Sequence, residues 1–159
     1  MTRARTLCTS VAVAVLVVGA LSLIHPWGNL RANSGGSAIL AGANAPDEIR
    51  ASLLQKCGDC HSNNTRWPLY SMIAPSSWLV EHDVNEGREH MNLSSWEKYS
   101  IDSRIDLLGK MGSQLRQGKM PLKQYLLLHP EARLSESERK LIVDWTKAER
   151  KRLMAEAAK

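Results

Sequence analysis

Cys57-Gly58-Asp59-Cys60-His61 is the stretch of sequence that decides how this chain folds. Its C-x-x-C-H spacing is the attachment pattern of a c-type haem. The two thiols lie three positions apart, so each can form a thioether with one haem vinyl group, while His61 binds the iron. Two other uses stay open, a redox dithiol and a structural or zinc-binding pair. Zinc sites usually need a second ligand pair, and no Cys follows Cys60.

The N-terminal sequence predicts that this motif is exported. Arg3 and Arg5 precede an apolar run over residues 7–24, which is close to the length that spans a membrane. We therefore expect residues 1–28 to form an uncleaved signal anchor, with a cleaved secretory peptide as the alternative. Because the arginines stay inside, a single-pass protein of the bacterial inner membrane with its haem domain in the periplasm is expected, or a secreted periplasmic protein after cleavage.

Composition divides the remaining chain into two parts. Residues 29–45 are rich in Gly, Ala, Ser and Asn and are typical of a flexible linker. Residues 46–159 then form one haem-binding domain of ordinary size. The fold class expected is mostly α, a small cytochrome c-like helical domain wrapped around one covalent haem and preceded by an N-terminal transmembrane helix.

Helical periodicity and capping patterns run through the domain. Asp47 and Glu48 after Pro46 suit the first turn of a helix that leads into Cys57. Capping boxes at residues 94–97 and 135–138 predict two further helix starts. Apolar stripes follow them, at Ile101, Ile105, Leu108, Met111 and Leu115 in the first helix and at Leu141, Trp145 and Ala148 in the second. Gly118 is expected to end the first of these helices.

The net charge of +5 gives little support to nucleic-acid binding. Three of the 21 basic residues, Arg3, Arg5 and Arg31, precede the domain, which leaves 18 basic and 16 acidic residues within it. These charges are interleaved, whereas a nucleic-acid surface needs a segregated basic face. No nucleic-acid partner is therefore expected; the partners expected are a redox protein and the membrane.

The iron needs a second axial ligand or an open site. Met120 follows a predicted helix end and precedes Pro121, which stiffens the loop, so its thioether is the ligand that we expect. Met111 lies on an apolar stripe and is expected to pack in the core. His82, His90 and His129 remain alternative ligands, as does an open or water-occupied site.

The sequence resembles the bacterial haem-binding domain family of c-type cytochrome-like proteins. The resemblance runs in order through residues 46–140 and rests on residues 57–71, 74–78, 87–88, 92–96, 119–121 and 129–135. It implies a single c-type haem, held through Cys57 and Cys60, in an exported and mostly helical domain. It implies no substrate.

Four more side chains are candidates for contact with the haem. A Trp67 N–H or a Tyr70 O–H can donate to a propionate, and Arg66 or Arg88 can pair with its charge. The alternative for the two aromatic residues is that they wall the haem crevice. His61 is expected to donate its outer ring N–H to a carbonyl, from Pro68 or a neighbour, which would fix the ligand tautomer.

Two classes of function follow. Ligation by His61 and Met120 favours an electron carrier, because a closed coordination sphere changes redox state with little rearrangement. A haem-based sensor or a peroxidase-like enzyme would need an open or displaceable sixth position, and an enzyme would also need an acid or base over the iron. A dithiol oxidoreductase would need a free thiolate of low pKa, which thioether attachment forbids.

Overall fold

The chain folds into helices joined by short loops, and the computed structural model describes residues 2–31 and 38–159. The mostly helical class predicted from the sequence is confirmed. The α-helices within those residues are α1 (Thr2–Leu21), α2 (Asp47–His61), α3 (Ser76–His90), α4 (Ile101–Arg116), α5 (Lys123–Leu128) and α6 (Glu136–Ala157). Short 3-10 helices at Leu69–Met72, Leu93–Lys98 and Pro130–Ala132 lie between them.

The predicted transmembrane helix is wrong. Among the residues described, none of the helices combines the length and the apolar character needed to cross a bilayer. Helix α1 carries Arg3 and Arg5 in its first turns, and it ends at Leu21, before the apolar run does. The helical part of that run, residues 7–21, is about 22 Å long at 1.5 Å per residue. The hydrocarbon core of a bilayer is about 30 Å thick.

The hydrophobic core is built around the pairing of α4 with α6. The stripe predicted on α4 is confirmed: Ile105, Leu108, Met111 and Leu115 are all buried. On α6 the buried face differs from the prediction. Ile142, Val143, Trp145 and Leu153 are buried, whereas Leu141 and Ala148 are exposed. The sequence pattern located the helix correctly but placed its apolar face about one residue away from the observed one.

Capping decides where these helices begin and end. The capping box at Ser135 and Glu138 is confirmed. The one predicted at residues 94–97 is wrong: that stretch is a 3-10 helix, and α4 begins at Ile101 with Ser100 as its N-cap. Helix α4 ends as predicted, because Gly118 has a φ of +64° and the Gly118 and Lys119 amides return to the carbonyls of residues 115 and 114.

Residues 24–25 and 39–45, which precede α2, contact the helical domain. Arg50 donates to the carbonyls of Ile39, Leu40, Ala43 and Ala45, so residues 39–45 wrap around one guanidinium. Earlier, the Trp78 indole N–H donates to the Ile24 carbonyl over 2.9 Å, and the His25 Nδ1 lies 2.7 Å from the buried Glu81 carboxylate. Residues 32–37 of the predicted linker, residues 29–45, lie outside the described residues. The division of the chain into anchor, linker and domain stays a prediction.

Candidate functional site

The C-x-x-C-H motif occupies the last two turns of α2. Pro46 precedes the helix, Asp47 and Glu48 lie in its first turn, and Ile49 and Leu53 anchor it in the core. Cys57 and Cys60 are half-buried free thiols. Residues three apart on a helix are neighbours on one face. The two sulfur-bearing side chains are therefore presented side by side, with His61 following directly.

The His61 imidazole is held in one orientation. Its Nδ1 lies 3.0 Å from the carbonyl oxygen of Met91, just beyond the end of α3. A carbonyl only accepts hydrogen bonds, so Nδ1 carries the proton and Nε2 keeps a lone pair. Burial lowers the pKa of His61, which favours the neutral ring. The orienting carbonyl that we predicted exists, but it comes from Met91 rather than from Pro68.

The electrostatic setting of the thiols argues against dithiol redox chemistry. Burial raises the pKa of both Cys57 and Cys60 to about 12. Asp83 and Asp59 act in the same direction on Cys60, and the opposing effect of Arg88 is smaller. A dithiol oxidoreductase needs a thiolate near neutral pH, which requires a lowered pKa. The two cysteines therefore lack the lowered pKa that a redox dithiol needs.

Gly87 lets α3 approach the motif closely. A Cβ at this position would lie 2.6 Å from the Cys60 carbonyl oxygen and 2.9 Å from the Cys60 Cβ. Both distances are shorter than atoms tolerate, and the nearest atom belongs to the backbone. Only glycine permits this packing, which also brings the Met91 carbonyl within reach of His61.

Replacing Gly87 with alanine is therefore expected to destabilise the domain by about 1–3 kcal/mol, the usual cost of overpacking. The matched control is Gly109→Ala in the middle of α4, where the nearest atoms to a Cβ are those of the flexible Arg150 side chain, at 3.6 Å or more. There we expect a gain of about 0.5–1 kcal/mol from helix propensity. Urea unfolding of both variants measures the difference, and equal free energies of unfolding would contradict the argument.

Asp59, inside the motif, is the centre of a hydrogen-bond network. Its carboxylate accepts from the Arg66 amide at 2.9 Å, from the Arg66 guanidinium at 2.9 and 3.2 Å, and from the Tyr125 hydroxyl at 2.6 Å. Burial opposes the charge, but these hydrogen bonds outweigh it and hold the pKa of Asp59 below its ordinary value. The carboxylate thus ties α2 to the following loop and to α5.

Arg66 and Arg88, both predicted to meet a propionate, have partners within the protein. Arg66 pairs with Asp59, although its side chain remains 60% exposed. Arg88 donates to the Ser62 carbonyl over 3.0 Å and to the Thr65 hydroxyl over 2.9 Å. Both guanidiniums therefore brace the residues after the motif, and a propionate contact for either stays a prediction.

Trp67 and Tyr70 both lie in the segment that follows the motif, and each has a contact within the protein. The Arg31 guanidinium sits 5.2 Å from the centre of the Trp67 ring and donates to the Ser71 carbonyl. The Tyr70 hydroxyl lies 2.6 Å from Nε2 of His129. Both aromatic residues thus help to fix the loop, and their predicted contacts with a haem stay predictions.

The candidate sixth ligands fall into distinct settings. Met111 is 8% exposed and packs in the core, as predicted. Met120 is half-buried in the loop after Gly118 and packs against the same apolar core as Cys57. Of the alternatives, His90 has a side chain 78% exposed to solvent, and both ring nitrogens of His129 have hydrogen-bonding partners. Met120 remains the predicted ligand.

A family model described as a haem-binding domain matches residues 16–148. The chain belongs to the haem-binding domain family. This confirms the predicted resemblance to a haem-binding domain family and supports a haem protein, whereas the c-type attachment of a single haem stays a prediction. Comparisons with curated proteins and with solved structures found no match.

The residues of the motif fit a haem. A buried neutral imidazole with its Nε2 lone pair available is the form in which histidine binds iron. Two free thiols, three residues apart, lie in the last turns of the same helix. The Asp59 and Gly87 contacts around this helix end were missed from the sequence, because their partners lie on other elements and no local pattern identifies them.

Proposed function

We propose that this protein binds a single haem covalently, through thioethers from Cys57 and Cys60, with His61 as an axial iron ligand. The hydrogen bond from His61 Nδ1 to the Met91 carbonyl carries this proposal. It fixes the tautomer that binds iron and sets the ring angle, as the outer hydrogen bond of metal-binding histidines generally does. The raised pKa of both thiols supports it further, since it disfavours the competing dithiol function.

The function that we propose is electron transfer. A bound haem supplies a one-electron iron couple, and the residues of this chain determine how that couple is held. Met120 is the proposed sixth ligand, brought back towards the core by the turn at Gly118. Ligation by His and Met closes the coordination sphere and raises the reduction potential. The partner is then another redox protein that docks for electron exchange.

The proposed location is the periplasm or outer face of a bacterial cell. Two arginines ahead of an apolar segment are the pattern of an export signal. Covalent haem attachment takes place on the exported side of the membrane, which agrees with that pattern. Because the prediction of a membrane-spanning helix is wrong, we propose the alternative localisation, a periplasmic chain that is secreted after signal cleavage.

Ultraviolet–visible spectra of the purified oxidised and reduced protein test the proposal. We expect the spectrum of a six-coordinate low-spin haem, reversible reduction, and no rapid binding of carbon monoxide, because both axial positions are filled by the protein. Haem should also stay with the protein in acidified organic solvent. Rapid carbon monoxide binding by the wild type would point instead to a sensor or peroxidase-like function with a displaceable sixth position.

A further inference from the structure

Exposure to solvent changes sharply at the end of α1. Residues 5–20 are exposed along their whole length, and Leu7 and Leu16 are 68% and 71% exposed. Leu21 and Ser22, by contrast, are half-buried. A soluble protein rarely leaves so large an apolar surface uncovered, and such a surface marks a segment with a use outside the folded domain. The end of α1 is therefore a boundary between two segments of different use.

Residues 22–31, beyond that boundary, are bound to the domain from their first residue. The Ala74 amide donates to the Ser22 hydroxyl oxygen over 2.9 Å, and the Trp78 indole N–H donates to the Ile24 carbonyl. One donor lies just before α3 and the other in its first turn. The segment is thus tied to the beginning of that helix.

Two further contacts hold the rest of this segment. The His25 Nδ1 lies 2.7 Å from a carboxyl oxygen of Glu81, whose side chain is 0% exposed. The Arg31 guanidinium donates to the Ser71 carbonyl and lies over the Trp67 ring. Loss of His25 would leave a buried carboxyl oxygen without its partner, which costs more than a hydrogen bond ordinarily contributes. The segment therefore packs as part of the folded domain, although it precedes the predicted start of that domain at residue 46.

The residues before the boundary carry the three parts of an export signal. Arg3 and Arg5 give its positively charged start, and the apolar residues 7–17 fit the length of about 7–15 residues that such signals use. Val18-Gly19-Ala20 follows, and small residues of this kind mark the place where signals are cleaved. Among the described residues, none has an atom within 4 Å of the place that a Cβ at Gly19 would occupy. This stretch is therefore open to an enzyme.

We propose that the peptide bond between Ala20 and Leu21 is the processing site of this chain. The inference rests on the proposed location and does not depend on the haem. A peptidase of the export machinery adds one water molecule across this bond, which leaves a carboxylate on Ala20 and a free amine on Leu21. The bond lies in the last turn of α1, and helix ends open more readily than helix interiors. The mature chain keeps residues 22–31 and their contacts.

A second small-residue pattern, Ala43-Asn44-Ala45, is closed to a peptidase by the fold. The Asn44 amide donates to the Glu149 carboxylate over 3.1 Å, and the Asn44 carbonyl accepts from the Trp145 indole over 3.0 Å. A cut there would also remove residues 39–40, which are buried in the core. A cut at the end of α1 instead removes, among the described residues, only exposed ones.

The test is the first residue of the mature protein, read by N-terminal sequencing after expression of the full chain in a bacterial host. We expect the exported protein to begin at Leu21. An exported chain that begins at any other residue, or that keeps α1, would overturn this inference alone. An intact chain that stays inside the cell would overturn the proposed location as well. The spectra described above test the haem proposal separately.

Replacing Ala20 with leucine tests the site directly. The large side chain beside the bond should block cleavage, so that most of the chain remains as precursor on a denaturing gel. The matched control is Ala14→Leu, which makes the same substitution at another exposed position of α1 and should be processed like the wild type. Wild-type processing of Ala20→Leu would contradict the proposed site.

The stability of the mature protein tests whether residues 22–31 belong to its fold. His25→Ala should lower the urea midpoint, because the buried Glu81 carboxyl group loses its partner. Leu23→Ala changes a residue of the same segment that is 79% exposed, and it should keep the wild-type midpoint. Equal midpoints for the two variants would show that the segment is not held by the domain, and the structural ground for a cut before Ser22 would fall.

Discussion

A chain in which both Cys57 and Cys60 are replaced by alanine is expected to carry no covalent haem at all. The two thiols are the proposed points of attachment, and they are presented together by the last turns of α2. Mass spectrometry of the denatured protein should show the haem-sized increment in the wild type and none in the double variant. We also expect the variant to fold poorly, because the haem would supply apolar surface that the motif packs against, and circular dichroism measures that loss.

The third cysteine provides the control for this experiment. Cys8 lies on α1, far along the chain from the motif, and its side chain is exposed. Cys8→Ala should therefore keep the full mass increment and the wild-type spectrum. Retention of haem by the Cys57→Ala, Cys60→Ala protein under denaturing conditions would contradict the thioether proposal. Loss of haem from Cys8→Ala would show that the mass assay reports folding rather than attachment.

Local patterns were sufficient where a helix contains its own signal. The stripe on α4 repeats at helical spacing; four of its five members are buried, and the fifth, Ile101, packs partly buried against the core. The capping box at Ser135 involves residues three apart, so nothing beyond that stretch is needed to form it. The same pattern at residues 94–97 failed, because Asn92 caps a 3-10 helix there and Ser100 caps α4 instead. Two competing polar caps within nine residues cannot be ranked by sequence alone.

The anchor prediction failed for a different reason. Apolar composition continues to Ile24, but α1 stops at Leu21, so the apolar run is longer than the helix that contains it. A count of apolar residues gives the length of the run, whereas crossing a bilayer depends on the length of the continuous apolar helix. At the end of the apolar run, Ser22 accepts a hydrogen bond from the Ala74 amide, which is distant in sequence. A local pattern cannot reveal such a contact.

The candidate site also combines a local pattern, which the sequence reveals, with contacts between distant residues, which it does not. The C-x-x-C-H motif is local and could be recognised directly. Its environment is not, because the Met91 carbonyl is 30 residues from His61, and Tyr125 is 66 residues from Asp59. Gly87 illustrates the limit most clearly. Its lack of a side chain matters only because the Cys60 backbone lies against it, which no pattern around residue 87 can show.

Met120→Ala is expected to change the iron site completely while leaving the fold largely intact. If its thioether is the sixth ligand, the oxidised protein should show the weak sulfur-to-iron band in the far red, and the variant should lose it. The reduction potential should fall, since Met ligation raises it, and the iron should become open to cyanide and carbon monoxide. Absorption spectra and potentiometry measure all three changes.

Met111→Ala separates a ligand from a core residue. Met111 is 8% exposed on the buried face of α4, so its loss should cost about 2–5 kcal/mol of unfolding free energy. Its spectrum and potential should stay near those of the wild type, because it packs between helices. Met120 is only half-buried, so its truncation leaves a smaller void and should cost less stability. A Met120→Ala protein with unchanged ligation would show that the thioether does not bind the iron. The spectra of His82, His90 and His129 variants would then identify the ligand.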